Sequence, residues 1–323
     1  MSLQRHPANP ILTRADVPEV RPHLVDVSSV FNPGAAIFRD RYLLLLRVQN
    51  RGRETFLLVA ESNDGVRFRV RPGEIRLRSL EQVPGTIHHV YDPRITRIGD
   101  DYFVVLAIDM DDGCRLGLAT TRDFEGFDFL GLISPDESRN GVLFPELIGG
   151  RYAMLERPNM LRPEDGPATG DAILLSLSED LLRWQRAGVL MRGRRHFWDE
   201  RIGSGPPPVK TREGWLHIYH GVAAHFGSAN IYQAGVVLLD LADPSQVLAR
   251  SRYNILEPRE PYETVGQVPN VVFPSGWIVE PLDGDGYAAP ESRVLLYYGA
   301  ADTVVALATG TVQDLLDACG EGA

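Results

Sequence analysis

The chain has 323 residues, of which 44% are hydrophobic and 24% charged, the profile of an ordinary globular protein. Its 43 acidic and 33 basic residues give a formal net charge of −10, which argues against a nucleic-acid-binding surface. The two cysteines, Cys114 and Cys319, are far apart, so neither a disulfide framework nor a structural zinc site is expected. No apolar run of ~18 residues and no apolar signal core occur, so we expect a cytoplasmic protein without membrane association.

The first predicted element is an apolar strand, and it recurs along the chain. In the first four copies a turn residue and an aromatic precede the apolar run. The copies begin at Asp40, Asp101, Gly150, Gly214 and, more weakly, Arg293. Short strands rich in β-branched and aromatic residues, separated by Gly, Asp and Asn, are typical of antiparallel sheet.

A second repeat follows these strands. Its copies are Ser62-x-Asp64-x-x-x-Phe68, Thr121-x-Asp123-x-x-x-Phe127 and Ser178-x-Asp180-x-x-x-Trp184, with the aspartates 59 and 57 residues apart. Each copy predicts a tight turn after a strand, with an aromatic re-entering the sheet. Five units of roughly 60 residues predict an all-β fold, a five-bladed β-propeller spanning residues 1–323 as one domain. A pair of β-sandwiches is the alternative.

The last predicted element is a short C-terminal helix from Thr311 to Cys319. The side chains that share one face at helical spacing are Val312, Leu315, Leu316 and Cys319.

Cation-capable side chains end three of the repeated strands. The residue five positions after the aromatic is Arg47 after Tyr42, Arg157 after Tyr152 and His220 after Trp215. After Tyr102 the same position is Ala107. A charge that ends an apolar strand needs water or an anionic partner. Each alone indicates an exposed strand end or a local ion pair. Three in register around a ring predict a shared site on its axis.

Further candidates lie in turn-rich segments. Arg139 and Arg201 are the remaining arginines of interest, and Gly203, two residues after Arg201, frees the backbone to approach a ligand closely, although a surface turn is the alternative. Asp92 and Arg94 alternate onto one strand face, so Asp92 is either a catalytic carboxylate or half of a structural ion pair with Arg94.

Three other groups have simpler explanations. Glu156 is expected to pair with the adjacent Arg157. Asp302 fits a turn-forming aspartate. The neighbours His88 and His89 point to opposite strand faces, so no metal site is expected there.

The motifs around these residues resemble glycoside hydrolase family 130, the β-mannoside phosphorylases and related mannosidases. The resemblance covers the chain from about Asn9 to Ala308 in matching order and spacing. The segments that carry it are Asn32-Pro33-Gly34-Ala35, Tyr91-Asp92-Pro93-Arg94, Val142 to Glu146, Met154 to Pro158, Arg201-Ile202-Gly203, Tyr219-His220-Gly221, Gly266 to Pro274 and Tyr297 to Asp302.

The resemblance implies an active site on the propeller axis and inverting phosphorolysis of β-mannosides to α-mannose 1-phosphate. It implies that Asp92 is the general acid, its proton passing through the mannose 3-hydroxyl. The positions that match phosphate-binding residues are Arg139, Arg157, Arg201 and His220. The positions that match the mannose subsite are Asn32, Arg47, Tyr91 and Asp302. The implied partners are a β-mannoside oligosaccharide and inorganic phosphate as co-substrate, with no other cofactor and no metal.

The residues themselves agree with this reaction. A phosphorylase needs one acid, because phosphate is already an anionic nucleophile, together with cations to bind it. One alternative is an inverting β-mannosidase in which Glu156 or Glu200 acts as the base. A carbohydrate-binding propeller without turnover is another, although neutral sugars need no such cations. The linkage, the acceptor sugar and the oligomeric state, including a homo-oligomer, stay open.

Overall fold

The computed structural model describes residues 3–161, 169–224 and 230–320. Within these ranges five largely antiparallel sheets follow one another along the chain. Strands of neighbouring sheets contact one another in chain order, and the fifth sheet contacts the first. The sheets therefore close into a ring, which confirms the predicted five-bladed β-propeller.

Blades I to III share a plan in which four successive strands pair from the axis outwards, and blade II adds a fifth strand at its outer edge. The chain enters through β1 (Gln4–Arg5). Blade I consists of β2 (Val27–Phe38), β3 (Arg41–Asn50), β4 (Thr55–Ser62) and β5 (Arg69–Val70). Blade II consists of β6 (Leu77–Arg78), β7 (Ile87–Ile98), β8 (Asp101–Met110), β9 (Gly113–Thr121) and β10 (Phe127–Leu132). Blade III consists of β11 (Ser138–Leu143), β12 (Tyr152–Pro158), β13 (Ala172–Ser178) and β14 (Trp184–Arg192).

Blades IV and V complete the ring. Blade IV consists of β15 (Arg201–Ser204), β16 (Val209–Lys210), β17 (Trp215–Ala223), β18 (Ile231–Leu239) and β19 (Val247–Arg250). Blade V consists of β20 (Val272–Leu282), β21 (Ala288–Ala300), β22 (Val304–Thr311) and the N-terminal β1. Gln4 of β1 lies opposite Thr309 of β22, so strands from near both ends of the chain form one blade and hold the ring closed.

The apolar strands that the first repeat predicts are β3, β8, β12, β17 and β21, one in each blade. The second repeat forms the turn to the last strand in blades I to III. In the first turn Asp64 accepts hydrogen bonds from the backbone N–H of Val66 and Arg67, at 2.9 and 2.8 Å. These bonds, that of Arg67 first, lower the pKa of Asp64 to about 2. Asp123 and Asp180 make the same pair of bonds, so the repeat encodes a local turn.

Hydrophobic clusters fill the interfaces between adjacent blades. Leu43 of blade I packs with Val104 of blade II, for example, and Leu46 of blade I packs with Tyr297 of blade V. The polar edges of the inner strands are thereby left to line the axis.

Two short helices lie outside the blades, α1 (Pro261–Thr264) and α2 (Val312–Gly320). Helix α2 confirms the predicted C-terminal helix and buries Val312, Leu315 and Cys319 against blades IV and V. Among the described residues no helix has the length and apolar character needed to cross a membrane.

Candidate active site

The inner strands of blades I, II and III share one backbone irregularity. The register of each shifts by a bulge, and in each a polar residue adopts the left-handed conformation. These residues are Asn32 with φ 47°, Asp92 with φ 52° and Asn140 with φ 53°. Asn and Asp tolerate this conformation better than other non-glycine residues. The bulges therefore place three polar side chains at one level of the ring.

Asp92 is held from blade I. Its Oδ1 accepts hydrogen bonds from Nδ2 of Asn32 and Nη1 of Arg47, each at 3.0 Å. Its Oδ2 accepts none from the residues that the structure describes. The possible ion pair between Asp92 and Arg94 is not formed, because the bulge after Tyr91 interrupts the strand alternation on which that interpretation depended.

Arg47 is fixed between two aromatic rings. Its guanidinium carbon lies 4.6 Å from the ring centroid of Phe31 and 4.3 Å from that of Tyr91. The Tyr91 hydroxyl donates to Oδ1 of Asp109 at 2.7 Å. Stacking on both faces of the guanidinium limits its movement and so fixes the position of the charge that faces Asp92.

Asp302 lies beside this group, in the turn between β21 and β22. Burial raises its pKa from 3.8 to about 6, with Arg47 opposing the rise and Asp92 adding to it. The electrostatic influence of both residues places Asp302 near them. The structure thus brings Asn32, Arg47, Asp92 and Asp302 together, and we call these four residues the Asp92 cluster.

The predicted phosphate-binding residues lie on blades III and IV, and we call Arg139, Arg157, Arg201 and His220 the basic cluster. Arg139 and Arg157 are direct cross-strand partners. Burial, and then the charge of Arg139, lower the pKa of Arg157 to about 10. Arg157 donates to Oδ1 of Asn159 at 2.9 Å, and Arg139 has a long 3.4 Å contact with Asp109. In the described part of the chain neither Arg157 nor Arg201 pairs with a carboxylate.

His220 departs from the sequence-based expectation of a cation. It is fully buried, opposite Gly203 across the β15–β17 pair. Burial, followed by the charges of Arg157 and Arg94, holds its pKa well below the usual range. A hydrogen bond with the backbone of Ser204 opposes this lowering and engages the ring N–H. At neutral pH the basic cluster therefore contains three charges and one neutral imidazole.

The neighbours of Gly203 leave no room for a side chain at this position. A Cβ at this position would lie 2.5 Å from Cε1 of His220 and 2.7 Å from Oδ1 of Asn140. The missing side chain thus makes room for two neighbouring side chains at the level of the bulges.

Glu156 does not belong to the site, and its expected pairing with Arg157 is wrong. Its carboxylate accepts hydrogen bonds from the hydroxyls of Ser138 and Ser176, at 2.9 and 2.8 Å, and from Nε of Arg186 at 3.1 Å. Adjacent strand residues face opposite sides of a sheet, so Glu156 points away from Arg157. Glu156 is therefore not available as a hydrolytic base. Glu200, the other candidate base, is half-buried directly before Arg201.

Sequence reasoning missed two residues that connect the clusters. Asp109 contacts both Tyr91 and Arg139, and the signal was an acidic residue ending the apolar strand β8. Tyr232 lies among the basic cluster and Asp302, because Arg157, Asp302, Arg139 and Arg201 all influence its pKa, which burial raises. Nothing in its local sequence indicated this.

Within the described ranges no three His, Cys, Asp or Glu side chains are grouped so that they could hold a metal ion. His88 instead pairs with Asp111 at 2.7 Å on the surface.

A family model described as beta-1,4-mannooligosaccharide phosphorylase, that of glycoside hydrolase family 130, matches residues 2–321. The chain belongs to glycoside hydrolase family 130. Its family 130 relatives include the beta-1,4-mannooligosaccharide phosphorylase of Ruminococcus albus, 31% identical over 319 residues, which span 97% of this chain and 89% of the relative. The 4-O-beta-D-mannosyl-D-glucose phosphorylase of Bacteroides fragilis is 31% identical over 342 residues, which span 96% and 83%.

A solved family 130 structure has the same fold. The beta-1,2-mannobiose phosphorylase from Listeria innocua, in complex with beta-1,2-mannobiose, superposes with a TM-score of 0.83 at 29% identity. The similarity covers 99% of this chain and 100% of that one, so the whole propeller is shared.

Proposed function

We propose that this protein catalyses the inverting phosphorolysis of β-mannosides and releases α-mannose 1-phosphate. Family membership supports the reaction class, since relatives that span nearly the whole chain are named mannoside phosphorylases. The observation that carries the proposal is the basic cluster, in which Arg157 and Arg201 have no carboxylate partner among the described residues. Like charges held together without a counterion are unfavourable, so the cluster favours a multiply charged anion.

Phosphate fits this cluster better than a carboxylate would. Guanidinium groups match phosphate oxygens with paired N–H donors, and three arginines can bind several oxygens at once. Neutral His220 lies beside the arginines and adds no further positive charge. A dianion would thus offset most of the positive charge.

The Asp92 cluster supplies the other half of the reaction. In the proposed step a phosphate oxygen forms a bond to C1 of the mannosyl group while the bond from C1 to the acceptor oxygen breaks. The electron pair of the breaking bond goes to the acceptor oxygen, which receives a proton from Asp92 through the mannose 3-hydroxyl. The free Oδ2 of Asp92 is the atom available for this transfer, since Oδ1 binds Asn32 and Arg47. Attack opposite the leaving group inverts the β-linkage to an α-phosphate.

Asn32, Arg47, Tyr91 and Asp302 are proposed to line the mannose subsite. Half-burial and a pKa of about 6 let Asp302 either donate or accept a sugar hydrogen bond near neutral pH. No second carboxylate is needed, and Glu156 is already occupied by Ser138, Ser176 and Arg186.

A product analysis with and without phosphate tests the reaction. Manno-oligosaccharides incubated with the protein and phosphate should yield α-mannose 1-phosphate, and cleavage should be slow in phosphate-free buffer. Release of free mannose at equal rates in both buffers would replace this proposal by an inverting β-mannosidase. If α-mannose 1-phosphate is formed, its incubation with the protein and an acceptor panel identifies the linkage, which differs among the named relatives.

A further inference from the structure

A layer of buried polar side chains lies next to the catalytic level of the ring, and the proposed reaction does not use it. Arg94 is 1% exposed, and His217 is 0% exposed. All three guanidinium nitrogens of Arg94 lack a hydrogen-bond partner among the described residues. Burial lowers the pKa of His217, and a hydrogen bond with the backbone of Pro206 opposes this. Leaving such groups buried and unpaired is costly, above all for a full charge.

Arg94 reaches across the axis of the propeller. It belongs to β7 of blade II, yet its guanidinium carbon lies 5.3 Å from the ring centroid of Phe273 in blade V. Its charge also lowers the pKa of His217 and of His220, both in blade IV. Blades IV and V are not neighbours of blade II in a five-membered ring, so the guanidinium lies inside the central channel.

The position of the layer along the axis separates it from other features. Asp92 precedes Arg94 on β7, and Ile95 and Arg97 follow it. The latter two line a wide cavity of about 880 Å³ toward the far ends of the inner strands. Arg94 therefore lies between the Asp92 cluster and that cavity.

Arg94 carries a positive charge that the carboxylate of Asp92 influences without pairing with it. Burial lowers the pKa of Arg94 to about 10, so it remains protonated at neutral pH. Burial, with a contribution from Arg94, lowers the pKa of His217 to about 3, so His217 is neutral. No carboxylate in the described ranges forms an ion pair with Arg94, and the neighbouring Asp92 already pairs with Arg47.

We propose that Arg94, beside the neutral imidazole of His217, forms an inner anion site that binds one small inorganic anion of halide size. Water could satisfy the hydrogen bonds of these groups but not the buried charge. A single negative charge balances Arg94, and its three guanidinium nitrogens, unpartnered among the described residues, offer N–H donors that suit an anion without directional demands. The inner anion site is distinct from the basic cluster, and its existence does not depend on the proposed reaction.

Crystals of the wild-type protein grown with bromide in place of chloride test the inner anion site. Anomalous scattering should show bromide in contact with the guanidinium of Arg94, and this peak should persist when phosphate is added. Bromide bound at Arg139 or Arg157 should instead be displaced by phosphate. Ordered water without an anomalous peak at Arg94, or a peak there that phosphate removes, would overturn the proposal.

Two variants connect the peak to stability. Arg94→Met should lose the bromide peak, whereas Arg97→Met, an exposed change on the same strand, should retain it. Chloride added against gluconate should give a saturable rise in the unfolding midpoint of the wild type and of Arg97→Met, but not of Arg94→Met. If Arg94→Met does not fold, the bromide experiment on the wild type still tests the inner anion site. Equal saturable rises in all three proteins would contradict the inner anion site.

Discussion

In blades I and II the charges of the site are balanced, whereas in blades III and IV they are not. Asp92 lies between Arg47 and Asn32, and two aromatic rings fix Arg47. Arg157 and Arg201 have no carboxylate partner in the described part of the chain, and burial already lowers the pKa of Arg157 to about 10. The first half is thus complete before substrate arrives, while the second half gains its counterion from the ligand.

This difference indicates what each half binds. A neutral sugar adds no charge, so its subsite is stable only if its own charges already cancel. A phosphate dianion supplies the missing charge, so its subsite can remain positive until it binds. Substitutions in the two halves should therefore affect different kinetic constants.

The largest effect is expected from Asp92→Asn in the balanced half. Asparagine has the same size and tolerates the left-handed backbone at this position, so the fold should survive. Loss of the proton donor should lower turnover of an unactivated mannoside by ~10²–10⁴-fold. Steady-state kinetics measures this, with thermal unfolding as the check on folding. A rate close to wild type on such a substrate would remove Asp92 from the acid role.

The next largest effect is expected from Arg157→Ala in the unbalanced half. Loss of one charged hydrogen-bonding partner costs on the order of 1.5–3 kcal/mol, so the KM for phosphate should rise about ten- to hundred-fold. The KM for the mannoside should change little. Arg183→Ala, on the surface of the same blade with 91% of its side chain exposed, is the matched control and should leave both constants unchanged. Equal rises in both constants for Arg157→Ala would mean that the halves are not separate.

The sequence predicted the repeated strands and turns of the ring better than it predicted the site. The strands and the turns at Asp64, Asp123 and Asp180 depend on local contacts, so short motifs reveal them. Arg47 and Arg157 were found because the repeat fixes their register. The resemblance to family 130 supplied the role of Asp92, which spacing alone did not.

Other features depend on contacts that no local pattern records. The bulge after Tyr91 redirects Asp92 to Arg47 of another blade, and ring closure brings Arg94 to Phe273. Glu156 finds its partners on other strands rather than beside it in sequence. Each error came from assuming undisturbed strand alternation or a partner close in the chain.

A smaller effect, measured as a change in stability, is expected from Asp302→Asn. Burial raises the pKa of Asp302 from 3.8 to about 6, so the folded protein binds its proton more tightly than the unfolded chain does. The stability of the wild type should therefore fall as pH rises from about 4 to 6, and the variant should lack this fall. By pH 7 the free energy of unfolding of the wild type falls by ~3 kcal/mol at most. The fall is smaller than this limit because solvent screens the half-buried carboxylate. Unfolding midpoints of both proteins across this range measure it, and a difference that does not change with pH would contradict the raised pKa.

The smallest effect is expected from Asp109→Asn, and it tests whether the two halves communicate. Asp109 accepts a hydrogen bond from Tyr91, whose ring stacks on Arg47, and contacts Arg139 of the basic cluster. Asparagine keeps an acceptor oxygen but loses the charge, and each weakened bond costs ~1 kcal/mol, or roughly five-fold. The KM values for the mannoside and for phosphate should therefore both rise by about this factor. Asp111→Asn, two residues further along and bonded to His88 and Thr86 on the surface, is the matched control. If Asp109→Asn raises one constant alone, the carboxylate supports only that half, and the balanced and unbalanced halves of the site act independently.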